Sequence, residues 1–414
     1  MIKHAWFKTT LAVAVATTSC QLMANGLAIN EQSVSSMGTG FAGRSSSALD
    51  ASTVFGNPAG MSRLERAEIS GGFAAIKAST DIDNASGVFP GTNDGDIAPN
   101  AAVPFGYYVR PLNDSWHFGV GFYVPFGVIS DYEKSFQGRT HGLYSKVQVM
   151  TLQPTLSYKI NDRVAIGFGP TINKIDGKLT NRVPYAAQGL PLPGEMDVNI
   201  KGDDIGYGFN AGILVDVTDR LAWGFTYHSK VDYELEGRTR FVSPSPMVPG
   251  GEYDATLDFT SPESADTSVT YKANEKWTLY AGITWTRWSQ LQEIVAENKG
   301  AAGPFATVGE ELQWDDTWSQ AIGVAYQMNK DLVLRGGFTL DQSPTSNAVR
   351  NVRIPVSNRK IVSVGAGWDI NPDWTMDFAY SYLRESKGRV EQPTYSAEYR
   401  NSAHGAGVQL THRF

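Results

Sequence analysis

The 414-residue chain holds one cysteine, Cys20, and beyond its extreme N-terminus no uninterrupted apolar run of eighteen residues. The first shortage excludes a disulfide framework and thiol chemistry in the mature chain. The second excludes a bundle of membrane-spanning helices, although not a barrel, whose alternating strands average to a polar hydropathy. Basic residues are outnumbered, 35 against 42 acidic ones, and form no stripe, which argues against nucleic acid as a partner. There is no P-loop and no His-Glu-x-x-His, and the six histidines show no paired ligand spacing. No signature joins Ser, His and a carboxylate into a triad. The chain reads as a non-enzyme with no catalytic residue, no metal site and no cofactor.

What is present begins with a leader. Lys3 and Lys8 give a positive start, Thr9 to Ser19 a short apolar core, and Leu22-Met23-Ala24 a cleavage point. Residues 1–24 are therefore expected to be a signal peptide and the mature chain to start near Asn25. Cleavage takes Cys20 away and lowers the formal charge of −7 by two.

From Arg66 onward the pattern has period two. In "WTMDFAYSYL", Trp374, Met376, Phe378, Tyr380 and Tyr382 alternate with Thr375, Asp377, Ala379 and Ser381, and residues 151–158 and 332–340 read the same way. Short turns at 111–115, 161–163, 218–220, 273–276, 329–331 and 371–373 alternate strictly with long connections at 80–99, 129–146, 179–204, 239–254, 289–315, 342–357 and 384–401. Loops sorted by length onto one end mark an outer-membrane barrel; a soluble sandwich has no reason to sort them. The predicted strands are 66–79, 100–110, 116–128, 147–160, 164–178, 205–217, 221–238, 255–272, 277–288, 317–328, 332–341, 358–370, 374–383 and 402–414. Trp277, Trp285, Trp288, Trp314, Trp318, Trp368 and Trp374 fall near strand ends, as interface girdles would. The expected fold is all-β: a 14-stranded antiparallel transmembrane β-barrel, residues 66–414, in the bacterial outer membrane.

A barrel this wide is not filled by its own side chains. Residues 25–65 are rich in Ser, Gly and Ala and lack alternation, yet Leu27, Ile29, Val34, Met37, Phe41, Val54, Phe55 and Met61 are too many for a solvated tail. They are expected to form an N-terminal hatch plugging the lumen. In it, Asn57-Pro58-Ala59-Gly60 reads as a rigid corner leading toward the first strand.

The stretch "NGLAINEQSVSSMGTGFAGRSSSALDASTVFGNPAGMSRL", with 210–237, 285–293 and 337–344, resembles the FadL-type long-chain fatty acid transporters of Gram-negative outer membranes. The resemblance runs over essentially the whole mature length. It implies passive, hatch-gated uptake of hydrophobic compounds, with long-chain fatty acids foremost. The implied route is an outer-loop groove, an internal apolar pocket beside the mature N-terminus, and lateral release at a kinked third strand. Gly26, Leu27, Ile29, Asn30 and Glu31 match the segment bordering that pocket, and Asn57, Pro58, Ala59 and Gly60 the hatch motif. Pro125 and Gly127 would break the third strand, although Pro125 also fits a strand end at the outer rim. The groove would be formed by 183–196 and 241–250, whose apolar tips suit a greasy ligand.

Basic lumen residues engage a carboxylate in the family, and Lys174, Lys178 and Arg182 stand in the matching region. Asp315 and Asp316 occupy a stretch where a base is expected, which leaves room for neutral aromatic or aliphatic hydrocarbons as the cargo. A general porin and an outer-membrane lipase are the remaining readings. The expected partners are the hydrophobic ligand, outer-membrane lipid and lipopolysaccharide, around a monomeric barrel.

Overall fold

One antiparallel sheet closes on itself in the computed structural model, which describes residues 26–189, 192–248 and 250–414. Its strands are β1 (Glu68–Gly87), β2 (Ala101–Pro111), β3 (Trp116–Asp131), β4 (Tyr144–Asn161), β5 (Val164–Pro184), β6 (Glu195–Asp216), β7 (Leu221–His228), β8 (Val231–Val242), β9 (Gly251–Ser261), β10 (Ser264–Lys272), β11 (Trp277–Thr286), β12 (Glu293–Asn298), β13 (Thr307–Glu311), β14 (Thr317–Gln327), β15 (Leu332–Asp341), β16 (Arg359–Asn371), β17 (Trp374–Glu385), β18 (Gly388–Gln392) and β19 (Tyr395–Arg413). The pairing Glu68↔Arg413 through Gly87↔Tyr395 joins first strand to last, so the wall has no free edge. β7 with β8, and β9 with β10, each form one wall strand, while β12, β13 and β18 belong to long connections. That leaves fourteen wall strands.

The two faces follow the alternation. Phe73, Phe122, Leu152, Ile172, Phe225, Ile322, Phe338 and Leu410 are exposed on the outside, while Ser70, Thr155, Ser157, Thr226, Ser268, Ser363 and Thr411 are buried within. Trp277, Trp318 and Trp368 sit on the outer face.

Three expectations need correction. The predicted strands 221–238 and 255–272 are each broken, at Ser229-Lys230 and at Pro262-Glu263. Proline cannot donate to the ladder, and across the first break the Ser229 hydroxyl accepts from Phe209 N at 2.8 Å where a carbonyl would be expected. Trp288 and Trp314 are fully buried, edge to face at 5.1 Å between ring centroids, so they belong to the interior and not to a girdle. The described parts of the loop tips, 183–189 with 192–196 and 241–248, pack on each other, with Met247 left exposed. Tyr185, Met196, Phe241 and Val248 are buried in one cluster, and Tyr185 Oη lies 2.9 Å from Ser243 Oγ.

The long connections fold over the barrel mouth. Residues 342–358 carry Ile354 and Val356 into the same apolar cluster as Leu27 and Ile29. Arg353 ties that loop to the β12–β13 hairpin through Glu310 at 3.1 Å and to Thr180 O at 3.1 Å. Burial pushes the Glu310 carboxyl up and the Arg353 guanidinium down, each opposed by the other's charge.

Candidate functional site

Residues 26–65 lie against the inner wall. Two single-turn helices, α1 (Val34–Met37) and α2 (Thr53–Gly56), are followed by a 3₁₀ turn at Pro58–Arg63. Asn57 caps that turn: its Oδ1 accepts from Ala59 N at 3.0 Å, while Nδ2 donates to Ser45 O at 2.6 Å and to Ile213 O of β6 at 3.0 Å. One side chain thus fixes the turn, an earlier part of the segment and the wall together. The backbone approaches so closely because the wall lacks side chains there. A Cβ on Gly212 would fall 2.0 Å from Asn57 Oδ1, and one on Gly224 only 1.8 Å from Ser45 O. Gly167 meets Pro58, Gly282 meets Ala42, and Gly323 and Gly337 both meet Thr39, so a belt of glycines on β5, β6, β7, β11, β14 and β15 receives the segment. Hydroxyls fill gaps in that belt: Ser268 accepts from Ser45 N at 3.1 Å and from Ser46 N at 2.9 Å.

The wall changes character at β3. β2 pairs with β3 only from Gly106↔Phe122 down to Pro111↔His117. Above that level β3 bulges, its register with β4 shifting between Tyr123↔Thr151 and Phe126↔Val149, and Pro125 stands inside the bulge. The strand then continues to Asp131, so Pro125 is not at its end, and Gly127 keeps its place opposite Gln148. The edge that leaves β2 is taken by the N-terminal segment. Ile29 N donates to Pro125 O at 2.8 Å, Gly127 N donates to Leu27 O at 2.8 Å, and Ala28 pairs with Phe126. Gln32 completes the substitution, its Nε2 donating to Val124 O at 2.5 Å and its Oε1 accepting from Val124 N at 3.2 Å.

Behind this edge lies a cavity of about 80 Å³ bordered by Asn30, Arg44, Phe55, Tyr123, Phe126 and His228. Arg44 donates to Asn30 Oδ1 at 2.7 Å, stands 5.2 Å over the Phe41 ring and 5.9 Å over that of Phe55, and forms no ion pair among the described residues. A second, apolar cavity of about 50 Å³ lies toward the loops, between Val147, Ile175, Leu235, Leu257, Phe259 and Ile294. Val147, Ile175, Leu235 and Phe259 pack in one cluster with Leu27, Ile29, Trp288 and Trp314, so apolar contacts run without interruption from the loops to the N-terminal segment.

A wide closed barrel occupied by its own N-terminal segment invites comparison with known proteins. The model of the outer membrane protein transport protein family (OMPP1/FadL/TodX) matches residues 14–414. The chain belongs to this FadL/TodX family. It is an outer-membrane transport protein and not an enzyme. The long-chain fatty acid transport protein of Escherichia coli is 28% identical over 97% of this chain and 96% of its own length. Among solved structures, a FadL homologue of Pseudomonas aeruginosa superposes with a TM-score of 0.85 at 24% identity, over 94% of this chain and all of the other. The Ralstonia pickettii toluene transporter TbuX gives 0.71 at 18%, over 93% of this chain and 99% of its own.

Of the residues matched to the FadL family, Leu27 and Ile29 are buried in the apolar cluster. Gly26, at φ +59°, is wedged against Trp288 and Trp314. Glu31 keeps one buried oxygen, Oε2, without a hydrogen-bond partner. Pro58, Ala59 and Gly60 are all buried beside Asn57. The three basic candidates do not join them. Lys174 and Lys178 share strand parity with the exposed Ile172 and face outward: Lys174 lies 3.7 Å from Asp176 and 3.9 Å from Asp203, and Lys178 lies over the Tyr144 ring. Arg182 binds Asp197 at 2.8 Å. Sequence reasoning passed over Arg44, and it assigned Trp288 and Trp314 to the girdle and not to this site. Arg44 carried one signal, being a lone cation in a run of Gly, Ser and Ala.

Proposed function

We propose that the protein takes up hydrophobic compounds, most of all long-chain fatty acids, by passive diffusion through the barrel. The carrying observation is the edge of β3 above its bulge, paired by residues 27–29 in place of β2. A displacement of those residues opens the wall between β2 and β3 at membrane depth, beside the apolar cluster that reaches the loops. The ligand then enters at the loop side, rests against Leu27, Ile29 and the two tryptophans, and leaves sideways without meeting water. Each buried methylene contributes about 0.8 kcal/mol, so a long acyl chain gains more than a small aromatic. Residues 25–65 act as the hatch, held by Asn57 and the glycine belt, and Pro125 and Gly127 shape the gap.

Lys174, Lys178 and Arg182 are not assigned to the ligand; Arg44, which has no ion pair among the described residues, is the group we assign to a fatty acid carboxylate. The name of the Escherichia coli relative agrees with that cargo. Cells with and without the protein, given labelled oleate or toluene, test the reading. Protein-dependent oleate uptake is expected; uptake of toluene alone would replace the fatty acid with neutral hydrocarbons, and no difference for either would remove the transport role.

A further inference from the structure

The outer face of the wall carries an arrangement that transport does not use. Lys146 of β4 stands directly opposite Lys178 of β5, Lys178 opposite Lys201 of β6, and Lys201 opposite Arg238 of β8. Four cations therefore form one cross-strand row about 14 Å long, at roughly 4.8 Å per strand. All share the parity of the lipid-exposed residues on their strands, such as Leu152 and Ile172. Like charges directly opposite each other destabilise a sheet, and here three such pairs follow in succession. Internal neutralisation is partial. Arg238 reaches Glu252 at 3.0 Å and Asp254 at 3.8 Å, and Lys178 Nζ lies 4.6 Å from the Tyr144 ring centroid. Lys146 and Lys201 form no ion pair among the described residues.

The height of the row matters as much as its charge. Lys178 lies six residues beyond Ile172, the last exposed apolar residue on β5, or about 20 Å along a tilted strand. That places the cations above the acyl region, in the headgroup layer. Two residues nearer the apolar band, Asp176, Asp203 and Glu236 form an acidic row on the same strands, and Lys174 lies within 4 Å of the first two. Asp131 borders the β3 end. The upper side of the basic row offers Thr180 and Asn199, with Arg240 already paired to Glu252 at 2.8 Å. An anion therefore approaches Lys146, Lys178 and Lys201 from the Thr180–Asn199 side, away from the acidic row.

We propose that the row Lys146–Lys178–Lys201–Arg238 binds phosphate groups of lipopolysaccharide in the outer leaflet, fixing the barrel in that leaflet by charge as well as by its apolar belt. Purified full-length protein in detergent is titrated with phosphorylated lipid A and with lipid A stripped of phosphate, and binding is read by native mass spectrometry. The phosphorylated form is expected to bind at least tenfold more tightly. K146Q/K201Q should lose roughly tenfold or more of that affinity, since each basic group near an anionic surface contributes substantially. K276Q/K330Q, on short turns at the opposite end, should lose none. Gel mobility without heating reports that each barrel is folded, and the two lipids compared on the wild type need no variant. Equal binding of the two lipids, unchanged affinity of K146Q/K201Q, or an equal loss in K276Q/K330Q would overturn the proposal.

Discussion

Arg44 and Asn57 give the residue scale its sharpest expectations. Replacing Arg44 with Gln keeps an N–H donor on a shorter side chain but removes the charge that faces the cavity. A hydrogen bond to a charged group contributes about 1.5–3 kcal/mol, so protein-dependent oleate uptake should fall roughly tenfold or more while toluene uptake holds. Equal loss of both would make Arg44 a structural residue only. Asn57→Ala deletes three hydrogen bonds and leaves Ser45 O without that donor. The loss, about 1–3 kcal/mol, falls on the seating of the segment, so planar-bilayer conductance should rise while the barrel keeps its heat-modifiable gel mobility. The face occupied by Lys174 and Lys178 was legible in the alternation itself, because both continue the parity of Phe168 and Ile172. The family resemblance matched only their region of the strand, whereas period two places them outside.

At the scale of elements, β3 and the N-terminal segment act as a pair. Ala28 and Phe126 bridge directly, so cysteines at these two positions lie close enough for a disulfide, and with Cys20 replaced by Ser no other thiol competes. Oxidised A28C/F126C should lose most oleate uptake and regain it on reduction; uptake unaffected by oxidation would mean that the ligand leaves elsewhere. The outer loops answer to pH. Burial, followed by the nearby Arg353 charge, lowers His141 to about 4 from an ordinary 6.5. A depressed histidine stabilises the folded loop fully above 6.5 and loses that contribution as pH falls toward 4, because the unfolded loop binds the proton first. Protection factors in 132–143, with the intrinsic pH dependence of amide exchange divided out, should therefore be lower at pH 5 than at pH 7.5, and the difference should shrink in His141→Asn. Wall strands were readable from alternation and turn chemistry, but the inward course of 289–315 and 342–358 was not. Trp288, Trp314, Ile354 and Val356 are buried by residues hundreds of positions away, and no local period announces such contacts.

On the scale of the whole molecule, the proposed hatch role makes the segment before β1 the part that decides whether the barrel is a pore or a closed vessel. Removing 25–60 while keeping residues 1–24 should raise planar-bilayer conductance well above that of the intact chain; no rise after the deletion would mean that the loops alone seal the lumen. The number of wall strands and the contents of the lumen were both readable from loop sorting and from a segment too apolar for a tail. The break at 229–230 was not, since it lies inside an alternating run, whereas Pro262 and the polar stretch around it carried a signal for the break at 262–263.

The glycine belt also constrains how the molecule is made. Six strands, β5, β6, β7, β11, β14 and β15, present a bare backbone to a segment that precedes them all in the chain, and the seam between β1 and β19 joins residues more than three hundred positions apart. A segment so closely surrounded is expected to be enclosed as the sheet closes, while the strand pairing that joins β1 to β19 fixes the circumference by itself.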